Sequence, residues 1–273
     1  MARIDGIESR ESNRDVDRVD PTVVLLGASN LTRGISTVVE TSRISVGRPL
    51  RVMTAMGHGR SYGQAASVLG RCLPGIVECQ LWPAIRQQPP QNLFALLTDI
   101  GNDILYHTPV ATIVAWVESC LQRLSQLDAR IVMTQLPISN LESLSASRFR
   151  FFRRLFFPSC RYSLREVSNL ARELNERITH IGILYGAKMV ALDPRWYGRD
   201  PIHLRMRHWQ SAWWTIVKSW RGAEEEVPLA RRSMRRWVYL RTRRPDFQKI
   251  FGVSMRSSQP SGQLADGTTV AMY

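Results

Sequence analysis

The sequence predicts an α/β fold in which a five-stranded parallel sheet carries helices on both faces. Two observations lead there. Five short apolar runs recur between residues 22 and 192, with helically spaced stretches between them. Polar or glycine-bearing segments follow the first, second, third and fifth runs directly, at what becomes the carboxyl edge of such a sheet.

The first strand is Thr22–Leu26. It breaks at Gly27, and Ser29, Asn30 and Thr32 lead into a helix over 32–42. The second strand, 50–56, enters MGHGRSYG, a turn holding Gly57, Gly59 and Gly63, followed by a helical pattern through Ala66, Val68 and Leu69. Residues 73–90 read as loop, broken by LPG, WP and QQPP. The third strand, 92–98, ends in DIGND. Val110, Ile113, Val117, Leu121 and Leu124 hold helical spacing behind Thr108-Pro109, which predicts a helix over 109–127. The fourth strand is 130–136. Ser163 and Glu166 form a capping box for another amphipathic helix reaching Ile181. The fifth strand is 188–192, a loop covers 193–201, and a tryptophan-rich helix covers 205–220.

At 273 residues and 44% hydrophobic, the chain can bury a sizeable core in one large domain with an appendage. No apolar run reaches the roughly 18 residues of a membrane span. Residues 1–20 alternate charges without an apolar centre and read as a flexible leader rather than a signal peptide. Cys72, Cys79, Cys120 and Cys160 lack metal-ligand spacing and read as free thiols. A cytoplasmic location, no metal and no cofactor are expected.

The net charge of +14 is segregated. Residues 148–165 carry six arginines and no acid, and residues 231–273 carry eight arginines, Lys249 and two aspartates. Those segments hold all but one of the net charges, so the body is near neutral. In 231–256, aromatics lie among arginines, a pattern suited to nucleic acid or anionic lipid. The same tail has turn signals at Pro260-Ser261-Gly262 and Asp266-Gly267, and the favoured reading is a packed extension with a basic exposed face and no obligate nucleic acid. In 139–160, phenylalanines interleave with Arg148, Arg150, Arg153 and Arg154. This insertion reads as a lid over an acyl site or as an amphipathic cover on the sheet edge.

Ser29 alone is an ordinary helix cap. Its status changes with the residues that share its sheet edge. A serine hydroxyl needs a base within hydrogen-bond reach, and the neutral imidazole of His203 can serve. Asp200, three residues earlier, can orient that ring. Attack on a carbonyl creates an oxyanion, for which the Ser29 N–H, an N–H of the glycine turn and the Asn102 side chain are donors. Asn30, Gly57 and His58 are read as substrate contacts.

Gly27-Ala28-Ser29-Asn30, the turn around Gly59, Gly101-Asn102-Asp103 and Asp200-Pro201-Ile202-His203 resemble the four blocks of the SGNH/GDSL hydrolase superfamily in order and approximate spacing. Ala28 and Asn30 replace the aspartate and leucine that usually flank the serine, and Ile100 stands where the third block usually has glycine. The resemblance covers residues 20–220. It implies a flavodoxin-like three-layer α/β/α fold, ester hydrolysis by Ser29, Asp200 and His203, and an oxyanion hole of Ser29, Gly59 and Asn102, with Gly57 as the alternative glycine. On this reading residues 21–222 form the hydrolase domain and 223–273 an extension. The substrate is a small-molecule, carbohydrate or lipid ester, and the segments 148–165 and 231–256 contact anionic surfaces. A catalytically silent binding module or an acyltransferase on the same fold are the alternatives.

Overall fold

A computed structural model describes residues 20–198, 200–221 and 229–273. The expected leader falls outside them except for Asp20. In chain order the elements are β1 (Thr22–Leu26), α1 (Ser29–Val46), β2 (Arg51–Ala55), β3 (Ala66–Val68), β4 (Arg71–Leu73), α2 (Leu81–Gln87), β5 (Leu93–Leu97), α3 (Val110–Ser125), β6 (Arg130–Thr134), α4 (Ile138–Glu142), α5 (Ala146–Phe156), α6 (Leu164–Leu184), β7 (Lys188–Val190), α7 (Trp209–Val217), α8 (Met234–Arg241), β8 (Phe247–Ile250), β9 (Val253–Arg256), β10 (Gly262–Gln263) and β11 (Thr269–Met272).

All five expected strands are present and parallel, in the order β2-β1-β5-β6-β7. The sheet nevertheless has seven strands, not five. β11 adds parallel to β2, and β10 pairs antiparallel with β11. The extra strands come from the C-terminal segment, whose Thr269–Met272 run offers a β-branched, apolar face to the exposed edge of β2. Gly267, at a φ of 88°, makes the turn between them.

Central strands of a parallel sheet are covered on both faces, and β1 is buried at every residue. Val23 and Leu25 point to a layer with Leu31, Ile35 and Val38 of α1 and Trp213 of α7. Val24 and Leu26 point to a layer with Ile113 and Val117 of α3 and Leu174 and Ile178 of α6. Gly34 lets α1 and α7 close together, because a Cβ there would stand 2.2 Å from the Trp213 indole nitrogen.

Three local expectations change. The 66–69 segment is a strand hairpin rather than a helix. Leu69 and Gly70 both take positive φ, 52° and 77°, which a two-residue turn between twisted strands requires. Phe251 and Gly252 repeat this turn between β8 and β9, and the two hairpins form a second sheet in the order β3-β4-β8-β9. The 73–90 loop contains α2. Its Trp82-Pro83 step starts a helix instead of breaking one, since a first-turn proline gives up an N–H that has no helical acceptor. α1 begins at Ser29 and runs to Val46, longer than the expected 32–42. Within the 139–160 insertion, α5 is amphipathic: Phe149 is buried while Phe151 and Leu155 are exposed.

The capping box of α6 is formed, with the Ser163 hydroxyl accepting from the Glu166 N–H and the Glu166 carboxylate accepting from the Ser163 N–H at 2.7 Å. The strand order reverses between β1 and β5, which opens a crevice at their carboxyl ends.

Candidate active site

The turn after β1 is held from the next strand. α1 has no side-chain cap of its own at Ala28. Asp99, just past β5 and in the left-handed region at a φ of 59°, supplies one. Its Oδ2 accepts the backbone N–H groups of Ala28, Asn30 and Leu31 at 2.9, 3.0 and 3.2 Å. A carboxylate suits the positive end of a helix and satisfies donors that lack helical partners. The Ser29 N–H lies between these donors, at the first residue of α1.

Ser29 is 6% exposed, at the first residue of α1. Its Oγ lies 3.0 Å from His203 Nε2, and His203 Nδ1 lies 2.6 Å from Asp200 Oδ2. A proton on Nδ1 directed at the carboxylate leaves Nε2 to accept from the serine hydroxyl. Asp200 Oδ1 accepts the backbone N–H groups of Ile202 and His203, so the loop folds back onto its own acid. Burial works to raise the Asp200 carboxyl. The hydrogen bond and charge of His203, with the two backbone donors, outweigh it and hold the carboxyl below its ordinary value.

Asn30 joins the two halves of this constellation. Its Nδ2 donates to Asp99 Oδ1 and to the Ile202 carbonyl, both at 2.9 Å, and its Oδ1 accepts the Leu204 N–H at 2.8 Å. The side chain therefore ties the histidine loop to the serine turn, with its amide nitrogen and oxygen both engaged in these bonds.

Asn102 is 8% exposed, and its amide nitrogen is buried without a hydrogen-bond partner. Buried donors are almost always paired, and this one stays open in a residue that lines the same cavity as Ser29. Gly59 lines the same cavity as Ser29, Asn102 and His203, whereas Gly57 lies outside its lining. The Gly59 backbone has a φ of 62°, and the Tyr106 hydroxyl donates to its carbonyl at 2.5 Å. Asp103 supports the glycine turn from below by accepting the Tyr62 N–H at 2.9 Å.

The cavity has a volume of about 670 Å³. Phe156 and Phe157, at the end of the 139–160 insertion, form one wall, and the Phe156 ring meets the His203 ring edge-on at 5.3 Å. His58 stands at the mouth and also lines the cavity. Among the described residues, no group of three His, Cys, Asp or Glu side chains is arranged to hold a metal ion.

The sequence reading found Ser29, His203, Asp200, Asn102 and Gly59, and the fold brings all five together. It missed Asp99 and Tyr106. Asp99 opens the DIGND segment directly after a strand, the one signal that pointed to it. Tyr106 carried none.

No protein-family model matches the sequence, and no curated protein matches it. Solved structures match the fold. A carbohydrate acetylesterase family member from Sinorhizobium meliloti is 14% identical, with a TM-score of 0.50 over 72% of this chain and 95% of that one. The inhibitor-bound aryl esterase of M. smegmatis is 9% identical, with a TM-score of 0.51 over 74% of this chain and 99% of that one. What the chain shares with them is the three-layer α/β/α fold of SGNH hydrolases.

Proposed function

We propose that the protein is a serine hydrolase that cleaves carboxylic esters through an acyl-enzyme on Ser29. The observation that carries this reading is the hydrogen-bonded line from Ser29 Oγ through His203 to Asp200, with steps of 3.0 and 2.6 Å. It runs beside an unpartnered buried amide on Asn102.

Ser29 Oγ attacks the ester carbonyl while His203 Nε2 takes the hydroxyl proton. Asp200 keeps the ring in the required tautomer and stabilises the imidazolium. The carbonyl oxygen, now an anion, is met by the Ser29 N–H, the Gly59 N–H and the Asn102 amide. Collapse of the tetrahedral adduct breaks the ester C–O bond, and His203 returns its proton to the leaving alcohol. Water then attacks the acyl-enzyme with His203 again as base, releasing the acid and regenerating the Ser29 hydroxyl.

Residues 21–222 carry this chemistry in the proposal. The 139–160 insertion acts as a lid, supported by Phe156 and Phe157 in the cavity wall. From the extension, Arg241 reaches His58 of the cavity lining, and 148–165 with 231–256 meet anionic surfaces. The four cysteines are unpaired, which supports a reducing, cytoplasmic location. No helix among the described residues is long and apolar enough to cross a membrane.

The test is labelling with a fluorophosphonate probe and mapping of the modified peptide, alongside turnover of p-nitrophenyl acetate. Ser29 is the expected site, and Ser29→Ala is expected to lose both signals. Turnover retained by that variant would refute the assignment.

A further inference from the structure

We propose that this site takes esters bearing an anionic group, a carboxylate or a phosphate, bound by Arg33, Arg71 and Arg241 around His58. The proposal rests on Ser29 as the nucleophile and names the substrate class of that same site.

The three arginines come from distant parts of the chain. Arg33 lies four residues after Ser29 on α1, hence on the same face and one turn along. Arg71 belongs to β4, and both Arg33 and Arg71 line the cavity. Arg241 closes α8; its Nη2 lies 3.5 Å from His58 Nε2, and its guanidinium stacks 4.8 Å over the Trp237 ring. Arg71 is fixed by an Nε donation of 2.7 Å to Gln248 Oε1, a side chain only 4% exposed. That anchor leaves the terminal amino groups of Arg71 for a ligand.

Among the described residues, Asp200 is the only acid lining the cavity, and both its oxygens are engaged by His203 and by the backbone of its own loop. Among the described residues, no carboxylate lies within ion-pair distance of Arg33, Arg71 or Arg241. Elsewhere in the molecule Arg43, Arg195 and Arg236 each have such a partner. Arg33 and Arg71 are half-buried while Arg241 is exposed. A half-buried cation without a counter-ion is unfavourable until an anion arrives, and guanidinium groups recognise planar carboxylates and phosphates by paired donors. The field is felt at His58. Burial first, then Arg241, His203, Arg33 and Arg71, push its ring down to about 4. It is neutral near pH 7 and does not compete for the anion. Since Arg33 is one helical turn from Ser29, the anionic group sits a few bonds from the reacting carbonyl.

Two matched ester pairs test the proposal. p-Nitrophenyl hemisuccinate against p-nitrophenyl butyrate places the charge on the acyl side. meta-Acetoxybenzoate against phenyl acetate places it on the alcohol side. In at least one pair kcat/KM is expected to favour the anionic ester by roughly ten- to hundredfold, the range of a hydrogen bond to a charged group. The advantage should shrink as salt is added. Arg33→Gln and Arg71→Gln should each shrink the ratio, and Arg33→Lys, which keeps the charge but loses the paired donors, should shrink it less than Arg33→Gln. No preference in either pair, or a preference untouched by these substitutions, overturns the proposal. Failure of the hydrolase reading looks different: none of the four esters turns over, and Ser29 takes no fluorophosphonate. In that event calorimetric titration of Ser29→Ala with the hemisuccinate and butyrate esters still decides. Tighter hemisuccinate binding that Arg71→Gln removes supports the anion site, and equal binding sinks it.

Discussion

Asp99 holds Asn30 twice, its Oδ2 accepting the backbone N–H at 3.0 Å and its Oδ1 the side-chain amide at 2.9 Å. Asn30 passes the connection on to Ile202 and Leu204. The serine turn, the end of β5 and the histidine loop are therefore joined through one amide. The distance between Ser29 and His203 depends on it.

Asn30→Leu should show this. Leucine leaves the Leu204 N–H and one Asp99 oxygen unpaired, a loss of about 1–3 kcal/mol in stability for buried groups left unmatched. Turnover of p-nitrophenyl acetate should fall further than stability explains, with kcat affected more than KM, because His203 loses its register. Urea unfolding and steady-state kinetics on the same samples separate the two effects.

Asn102→Ala should behave in the opposite way. The amide nitrogen has no partner in the free protein, so its removal sacrifices no hydrogen bond. The melting transition should move little. The rate of ester cleavage should fall about 10²–10³-fold, the usual effect of removing one oxyanion donor.

Gly59→Ala and Gly57→Ala should differ. At Gly59 a Cβ would meet Val68 Cγ2 at 2.6 Å and the Tyr106 hydroxyl at 2.7 Å, on a backbone already at a φ of 62°. The strain of a side chain there is on the order of 1–3 kcal/mol, and the turn that presents its N–H is displaced. At Gly57 the contact is the tip of Leu73 at 2.3 Å, which can rotate away. Activity should collapse in the first variant and survive substantially in the second. Equal losses would remove the distinction between the two glycines.

Asp103 makes stability depend on pH. It is fully buried, with one oxygen unpartnered. Burial raises its carboxyl from 3.8 to about 6, opposed by the Ser61 hydroxyl and the Tyr62 N–H. With the folded value above the unfolded one, the native state holds the proton more tightly. This contribution is present below pH 4 and is lost as pH rises to about 6. Its size is on the order of 2–3 kcal/mol. Asp103→Asn, whose amide oxygen can still accept from Tyr62, should lack this component. The difference in unfolding free energy between variant and wild type should therefore grow in the variant's favour from pH 4 to pH 6.5 and level off above that. A flat difference would show that Asp103 does not carry the effect.

Much of the fold was readable because parallel strands buried on both faces leave largely apolar runs, as in β1, β2, β5 and β6; the edge strand β7 is less buried. The capping box of α6 was equally plain, since its partners lie three residues apart. The hairpin at Leu69-Gly70 escaped because Val68 and Leu69 fit a helical period as well as a strand. Only the positive φ of both turn residues decides between the two. The C-terminal turns at Pro260-Ser261-Gly262 and Asp266-Gly267 were visible, but not that β10 and β11 join the central sheet, because nothing local in Thr269–Met272 names β2 as its neighbour.

The serine turn marks the same boundary. Gly27-Ala28-Ser29-Asn30 determined by itself that a strand ends and a helix follows within a few residues. The DPIH segment determined by itself that an acid and an imidazole share one short loop. The 174-residue separation between Ser29 and His203 could be closed only by the strand order that sets β1 beside β5 and by the Asn30 amide that binds the two loops. The unpaired Asn102 donor and the acid-free grouping of Arg33, Arg71 and Arg241 were likewise decided only in three dimensions. Whether a polar group finds a partner depends on every neighbour that packing brings to it, and the order of residues along the chain does not carry that information.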